Sequence, residues 1–277
     1  MKKYLTKTIF YLALVLIALI CLFPPYVIVV SSLQGQRQVL SIPAKFIPNP
    51  VRFDNYIKIW SSIKFSTYIK NGLVVTFGTL ILTLMIGSLA AFPLARLKIP
   101  GKRLLIIGLL FTQMFAPAVV LLPLFKIFQK LHLLDTLLGL IIVNTTFLLA
   151  FSTLLIANFF ETVPFEVLEA AIIDGCSKIK LLTKILLPIS LPGIFVVSIY
   201  IFTQVWNEFL FAFVFISSTD KYTPIVGLFN FIQTQGIRIP PWNLVMTASC
   251  ILTLPVLLLF YFQRNSLSKG LTTGAIK

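Results

Sequence analysis

Apolar residues in this chain gather in long runs, and polar residues collect between them. A membrane span needs about 20 mostly apolar residues to cross a hydrocarbon core of about 30 Å. Runs of that kind lie near 9–31, 72–95, 104–125, 137–160, 192–216 and 244–262. The pattern predicts an all-α, polytopic membrane protein with six transmembrane helices. The second run is the best bounded, with no charge from Leu73 to Ala95 and a stop at Arg96. Lys98, Pro100, Gly101, Lys102 and Arg103 then make a short basic hairpin. Pro117 and Pro123 interrupt the third run and Lys126 closes it, which predicts a kinked helix.

Composition supports lipid as the solvent. Hydrophobic residues make up 58% of the chain and charged ones 11%, with a mean hydropathy of +0.99. A soluble domain of this size could not hide so much apolar surface and would carry about twice the charge. The net charge of +15 sits mainly between the runs, where it meets headgroups, with no basic stripe interleaved with aromatics. No nucleic-acid partner is therefore expected. The basic start at Lys2, Lys3 and Lys7 raises a cleavable signal peptide, but no small-x-small site follows, which favours a retained first span. Four basic residues fall in the eight of the 96–103 hairpin, and Arg264, Lys269 and Lys277 mark the tail. Both termini are expected in the cytoplasm, with segments 33–71 and 217–243 outside and 161–191 inside. One domain spanning 1–277 accounts for the chain.

Catalytic chemistry finds little support. His132 is the single histidine, and Cys21, Cys176 and Cys250 lie far apart with no CxxC pair, so neither a metal site nor a disulfide framework is expected. No GxxxxGK[ST] loop exists, so the chain is expected to bind no ATP itself and to need no cofactor. Asn144-Thr145-Thr146 fits a glycosylation sequon but lies within an apolar run.

The segment 161–191 is more informative. Pro164, then Glu166 and Glu169, then Gly175 is the order of a short helix, with acids near its positive end and glycine past its close. Phe165, Leu168 and Ile172 share one side, and Glu166, Glu169 and Ala170 another. A second amphipathic stretch, Lys178 to Leu187, ends at Pro188. Two small helices joined at Asp174-Gly175 would form a cytoplasmic knob. Such a knob could lie on headgroups as an interfacial helix. It could instead dock to a partner, which the small Ala170-Ala171 pair beside the acids would let approach closely.

The stretch LEAAIIDGCSKIKLLTKILLP resembles the EAA loop of ATP-binding-cassette importer permeases. Glu169, Ala170, Ala171, Gly175, Ile185, Leu187 and Pro188 occupy every position of that pattern, and Asp174 matches the usual residue before the glycine. From about Asp54 onward the chain resembles the maltose-type, MalG-like permeases of carbohydrate importers. FDNY precedes the second span, AAFPLARLKIPGKR forms the inner hairpin, WNEFLFA lies in the fifth span, and GLTTGAIK closes the chain. Pro93 and Cys176 depart from that family's usual residues. The resemblance implies a prokaryotic inner-membrane subunit paired with a homologous permease. It also implies two ATPase subunits that bind the ATP and clamp the EAA knobs, and an extracellular or periplasmic solute-binding protein that delivers the sugar. The rival expectation is an ion-gradient-driven secondary transporter, which should show inverted repeats and intramembrane ion ligands.

Glu208 stands alone in the fifth run, with Gln204, Trp206 and Asn207 within one turn. A charged group at bilayer depth costs on the order of 3 kcal/mol, so it should face protein or a water-filled path. These four residues are candidates to line the translocation path; the other reading of Glu208 is a structural carboxylate bonded to a neighbouring helix or to the partner permease. The long segment 217–243, with Gly236 and Pro240-Pro241-Trp242, either reaches towards the binding protein, as the resemblance implies, or lies on the membrane surface.

Overall fold

The computed structural model describes residues 2–234 and 239–275, with side chains for 7–234 and 239–261. Gly236, Lys277 and the side chains of Lys2, Lys3, Arg264 and Lys269 lie outside the described residues. Among those described, all regular structure is helical. The order is α1 (Lys2–Ser32), α2 (Gln36–Val39), α3 (Asn55–Ser62), α4 (Phe65–Arg96), α5 (Lys102–Thr112), α6 (Pro117–Lys130), α7 (Leu137–Glu161) and α8 (Phe165–Ile173). It continues through α9 (Lys178–Leu181), a π turn (Leu182–Leu186), α10 (Leu187–Ile189), α11 (Leu191–Trp206), α12 (Leu210–Phe215), α13 (Pro224–Gln233) and α14 (Trp242–Ala275).

Among the described residues, Lys7–Ser32, Phe65–Arg96, Leu137–Glu161 and Trp242–Tyr261 are each long and apolar enough to cross a membrane, and counting each of two bent helix pairs as one span gives up to six. One pair corrects the expected third span. Instead of one kinked helix, α5 and α6 meet at 92° across Gln113–Ala116. Pro117 opens α6 as a first-turn proline, where its missing N–H costs nothing, and it holds Ala116 extended at φ −62°, ψ 131°. Pro123 lies inside α6 and does not break it. The second pair corrects the knob: Pro188 does not end the stretch from Lys178. The Leu187 N–H reaches back five residues to the Leu182 carbonyl, and this wide turn carries the helix past the proline to Ile189. An 81° bend at Ser190 then leads into α11.

The chain divides into two units, Met1–Ser66 with Gly227–Pro255, and Thr67–Val226 with Val256–Lys277. In the first, a buried polar network lies beside buried apolar residues such as Ile59, Phe65 and Ala248. The Asn55 amide donates to the carbonyls of Ser32 and Gln34, both at 2.8 Å, and its oxygen accepts from Asn243 Nδ2 at 3.0 Å. Tyr56 Oη lies 2.8 Å from Ser32 Oγ. Two residues of the FDNY motif thus fasten the end of α1 to the start of α3 by hydrogen bonds that water cannot contest.

In the second unit α4, α7 and α11 pack around one core that includes Val143, Ile156, Phe160, Val197 and Ile201. Gly72, Thr76, Thr79, Thr83 and Gly87 form a buried small-residue stripe along α4, which lets helices approach closely where lipid gives no hydrophobic drive to association. The approach is tightest between α7 and α11, where a Cβ on Gly193 would lie 2.2 Å from the Phe159 ring. At the start of α7, Asp135 closes the α6–α7 connection at φ 54°. Its carboxylate accepts from the Ser217 and Ser218 amides at 3.1 and 2.9 Å, from Ser218 Oγ, and from Lys221 Nζ at 3.1 Å. Burial raises the Asp135 pKa, but the bonds from Ser218, Lys221 and Ser217 outweigh it and hold the carboxyl well below the usual range.

Asp135→Ala should lower stability by about 2 kcal/mol, since it strands donors that now meet a charged acceptor. Thermal unfolding of the purified protein measures this. A lowered folded-state pKa stabilises above the unfolded value and ceases to do so as pH falls through the folded one. The gap between wild type and variant should therefore be full above about pH 5 and shrink below about pH 4.

Candidate functional site

The segment after α7 folds as a knob because its sequence carries both a helix stop and a restart. Pro164, at φ −56°, ψ 140°, sits one residue before α8 as its N-cap, and Glu166 occupies the positive first turn. At the other end Gly175 takes φ +79°. The Gly175 N–H donates to the Ile172 carbonyl and the Cys176 N–H to the Ala171 carbonyl, both at 3.0 Å, the paired bonds of a Schellman stop. Ser177 then caps α9 by accepting from the Lys180 N–H. Asp174-Gly175 is therefore the joint expected from the sequence.

The faces of α8 differ from the expected ones. The buried stripe is Leu168 with Ala171, which join Val163, Leu181, Leu182 and Leu186 in the core. Phe165 and Ile172 flank that stripe and are exposed. Ala171 thus packs inward and leaves Ala170 as the small residue of the outer face. That face carries Glu166, Glu169, Ala170 and Ile173, and Ile173 is 84% exposed. Asp174 and Gly175 continue it; Ile185 and Leu187 are half-buried against the core, and Pro188 is exposed. Ile173, four residues after Glu169 and seven after Glu166, was legible as part of the acidic face from spacing alone. Lys178, Lys180 and Lys184 stand exposed on the following helix, so the knob presents acids first and bases after them.

The base of the knob is tied to the ends of two long helices. Arg96, the last residue of α4, donates from Nη2 to the carbonyls of Phe160 in α7 and Val163 in the connector to α8. Lys102 Nζ pairs with Glu161 at 3.1 Å. The basic hairpin was legible as a topology signal, but these contacts were not, because they join residues more than 55 positions apart.

The fifth apolar run is not one helix. It breaks between Trp206 and Leu210 with neither proline nor glycine present. Side chains make the break: Asn207 Nδ2 donates back to the Thr203 carbonyl at 2.8 Å, and the Glu208 carboxylate accepts from the Phe211 and Ala212 amides at 2.6 and 3.0 Å. The Glu208 carboxylate is thus bonded to its own backbone at the start of α12. Gln204 and Asn207 are exposed and Glu208 is half-buried. Trp206 is 5% exposed and stacked on Phe202 at 5.7 Å, so it does not join them.

Residues 83–272 match the family model described as binding-protein-dependent transport system inner membrane component. The chain is 31% identical over 278 residues to the inner membrane ABC transporter permease protein YcjP of Escherichia coli strain K12, covering 100% of this chain and 98% of that protein. It is 32% identical over 278 residues to the trehalose/maltose transport system permease protein MalG of Thermococcus litoralis, covering 100% and 99%. Its fold superposes with a TM-score of 0.83, at 21% identity, on a chain from the crystal structure of a bacterial ABC transporter involved in the import of the acidic polysaccharide alginate, covering 95% of this chain and 97% of that one.

Glu208→Ala strands two amides at the start of α12 and should destabilise the protein by about 2 kcal/mol. Lower membrane abundance and a lower unfolding temperature are expected, with Glu208→Gln restoring most of both. Wild-type abundance and stability of the alanine variant would show that the cap is dispensable.

Proposed function

The chain belongs to the family of binding-protein-dependent transport system inner membrane components, and from this premise we propose how it works in sugar uptake. It is the permease subunit of an ATP-binding-cassette importer, a multi-pass component of the inner membrane and not an ion-gradient-driven carrier. We take its cargo to be a sugar or oligosaccharide, a reading supported by its likeness over its full length to a trehalose/maltose permease. It forms half of the translocation path with a homologous permease as one transmembrane domain, and receives cargo from a solute-binding protein outside. It has no ATPase site of its own. Two partner subunits bind the ATP and push on the knob at 161–191, which lies in the cytoplasm with both termini. Gln204 and Asn207 are the path candidates left open once Glu208 is committed to capping α12.

The observation that carries the docking reading is the outer face of α8, where Glu166 and Glu169 flank the bare Ile173 and the small Ala170. An interfacial helix would set basic residues toward anionic headgroups and sink its isoleucines in lipid. Here acids surround the exposed isoleucine, a composition suited to a protein cleft with an apolar floor and a basic rim.

Two variants test this. Nothing lies within 4 Å of a Cβ at Gly175, so Gly175→Val acts through backbone strain alone, about 1–2 kcal/mol at φ +79°. It should misorient α8 while leaving the spans intact. Glu169→Lys reverses charge on the docking face. Both should insert at near-normal abundance and either lose the ATPase or keep it without coupled uptake, measured by co-purification and by sugar transport in vesicles. Normal uptake by both with the ATPase bound would remove the knob from the mechanism.

Topology has its own test. In a cysteine-free background, Lys180→Cys should resist an impermeant thiol reagent added to sealed cells while Ile225→Cys is labelled. The reverse pattern would invert the orientation.

A further inference from the structure

We infer that Arg96 is the positioning residue that makes α4 and the coupling knob move as one. Force received at α8 would then enter the spans through α4 as well as along the covalent chain. The inference rests on the coupling reading above.

The argument begins with what one guanidinium holds. Arg96 ends the 32-residue α4, and its Nη2 bonds two carbonyls that belong to different parts. Phe160 lies in the last turn of α7, and Val163 lies in the connector 162–164 that leads into α8. A cation at a helix C-terminus is favourable in itself, and capping α7 would need the first carbonyl only. The second bond reaches past the helix end to the root of the knob, so displacement of α8 pulls on the same group that closes α4.

The surroundings make this tie stiff. Val163 is 4% exposed and shares a core with Ala91, Leu94, Phe160, Leu168 and Ala171, so residues of α4, α7 and α8 exclude water around the joint. Nε of Arg96 is buried and has no hydrogen-bond partner among the described residues, so the two Nη2 bonds to carbonyls are what fix the side chain at the joint. The neighbouring Lys102–Glu161 pair is a weaker strap. Its side chains are 36% and 48% exposed, and a pair in water contributes little.

Beyond the joint, α4 is well placed to pass displacement on. A Cβ at Gly78 would lie 2.6 Å from Ile141 of α7, and Phe77 meets Phe202 of α11 edge-on at 6.0 Å. A shift of the α4 end therefore bears on both neighbours through close-packed contacts.

The test uses the complete transporter in lipid vesicles, with its ATPases and sugar-loaded binding protein, carrying Arg96→Met, Arg96→Lys or Lys102→Met. Membrane abundance, ATPase retention and stimulation of hydrolysis by the loaded binding protein are read together. Arg96→Met should keep abundance and ATPase while stimulation falls about fivefold to tenfold, the range of one coupling interaction. Arg96→Lys should recover part of it, and Lys102→Met should match wild type. Wild-type stimulation in Arg96→Met overturns the inference. If Arg96→Met fails to accumulate, Arg96→Lys decides: reduced stimulation at normal abundance supports the inference, and wild-type stimulation leaves Arg96 a purely structural cap. An unmutated complex that retains no ATPase overturns the coupling reading and this inference with it.

Discussion

The constraint on which the rest of this structure depends is that lipid offers no hydrogen bonds, so each backbone group at membrane depth must find its partner within the protein. Unbroken helices meet it automatically. Every interruption of a helix creates groups that something else must satisfy, and three charged side chains of the second unit serve that purpose, Glu208 within an apolar run and Arg96 and Asp135 at helix ends beside the membrane faces. Glu208 takes up two amides where α11 gives way to α12, and Arg96 takes up two carbonyls where α7 gives way to the knob. At the start of α7, Asp135 holds the Ser217 and Ser218 amides together with Lys221. In a chain with so few charges, three of them serve as replacements for missing helical bonds.

Packing follows from the same solvent. Lipid competes on equal terms with leucine, so the helices adhere by close fit. The Gly72–Gly87 stripe of α4 and the seating of Phe159 on Gly193 provide that fit. Close fit also makes the bundle stiff, and a stiff bundle passes displacement from one end to the other. The knob adds the complementary property. Its inner side is core, through Leu168 and Ala171, while its outer side is acidic and apolar and stands free. A docked partner would therefore grip an element continuous with the spans and not a loose loop.

The sequence alone determined the broad architecture and the family. Long apolar runs cannot be hidden from water in a chain of this size, so composition made the protein helical and membrane-embedded. Short-range order made the knob, because Pro164 opens α8, Gly175 closes it in a Schellman stop and Ser177 caps α9, each acting within a few residues of itself. The EAA spacing carried the functional class for the same reason: its residues lie within one contiguous stretch.

Tertiary structure decided what each side chain faces and where the helices break. The 92° turn before Pro117 and the break at Glu208 exceed what residue type foretells, since a proline kinks or terminates according to its neighbours and a glutamate breaks a helix only when its carboxylate finds amides ahead. Ala171 looked like a docking residue by sequence and is a core residue in space, because three-dimensional packing chose Leu168 and Ala171 as the inward stripe over Phe165 and Ile172. Arg96 read as one charge among several in a basic hairpin. Its partners lie 64 and 67 positions away, and no local pattern encodes a contact that exists only once α4 and α7 have packed side by side.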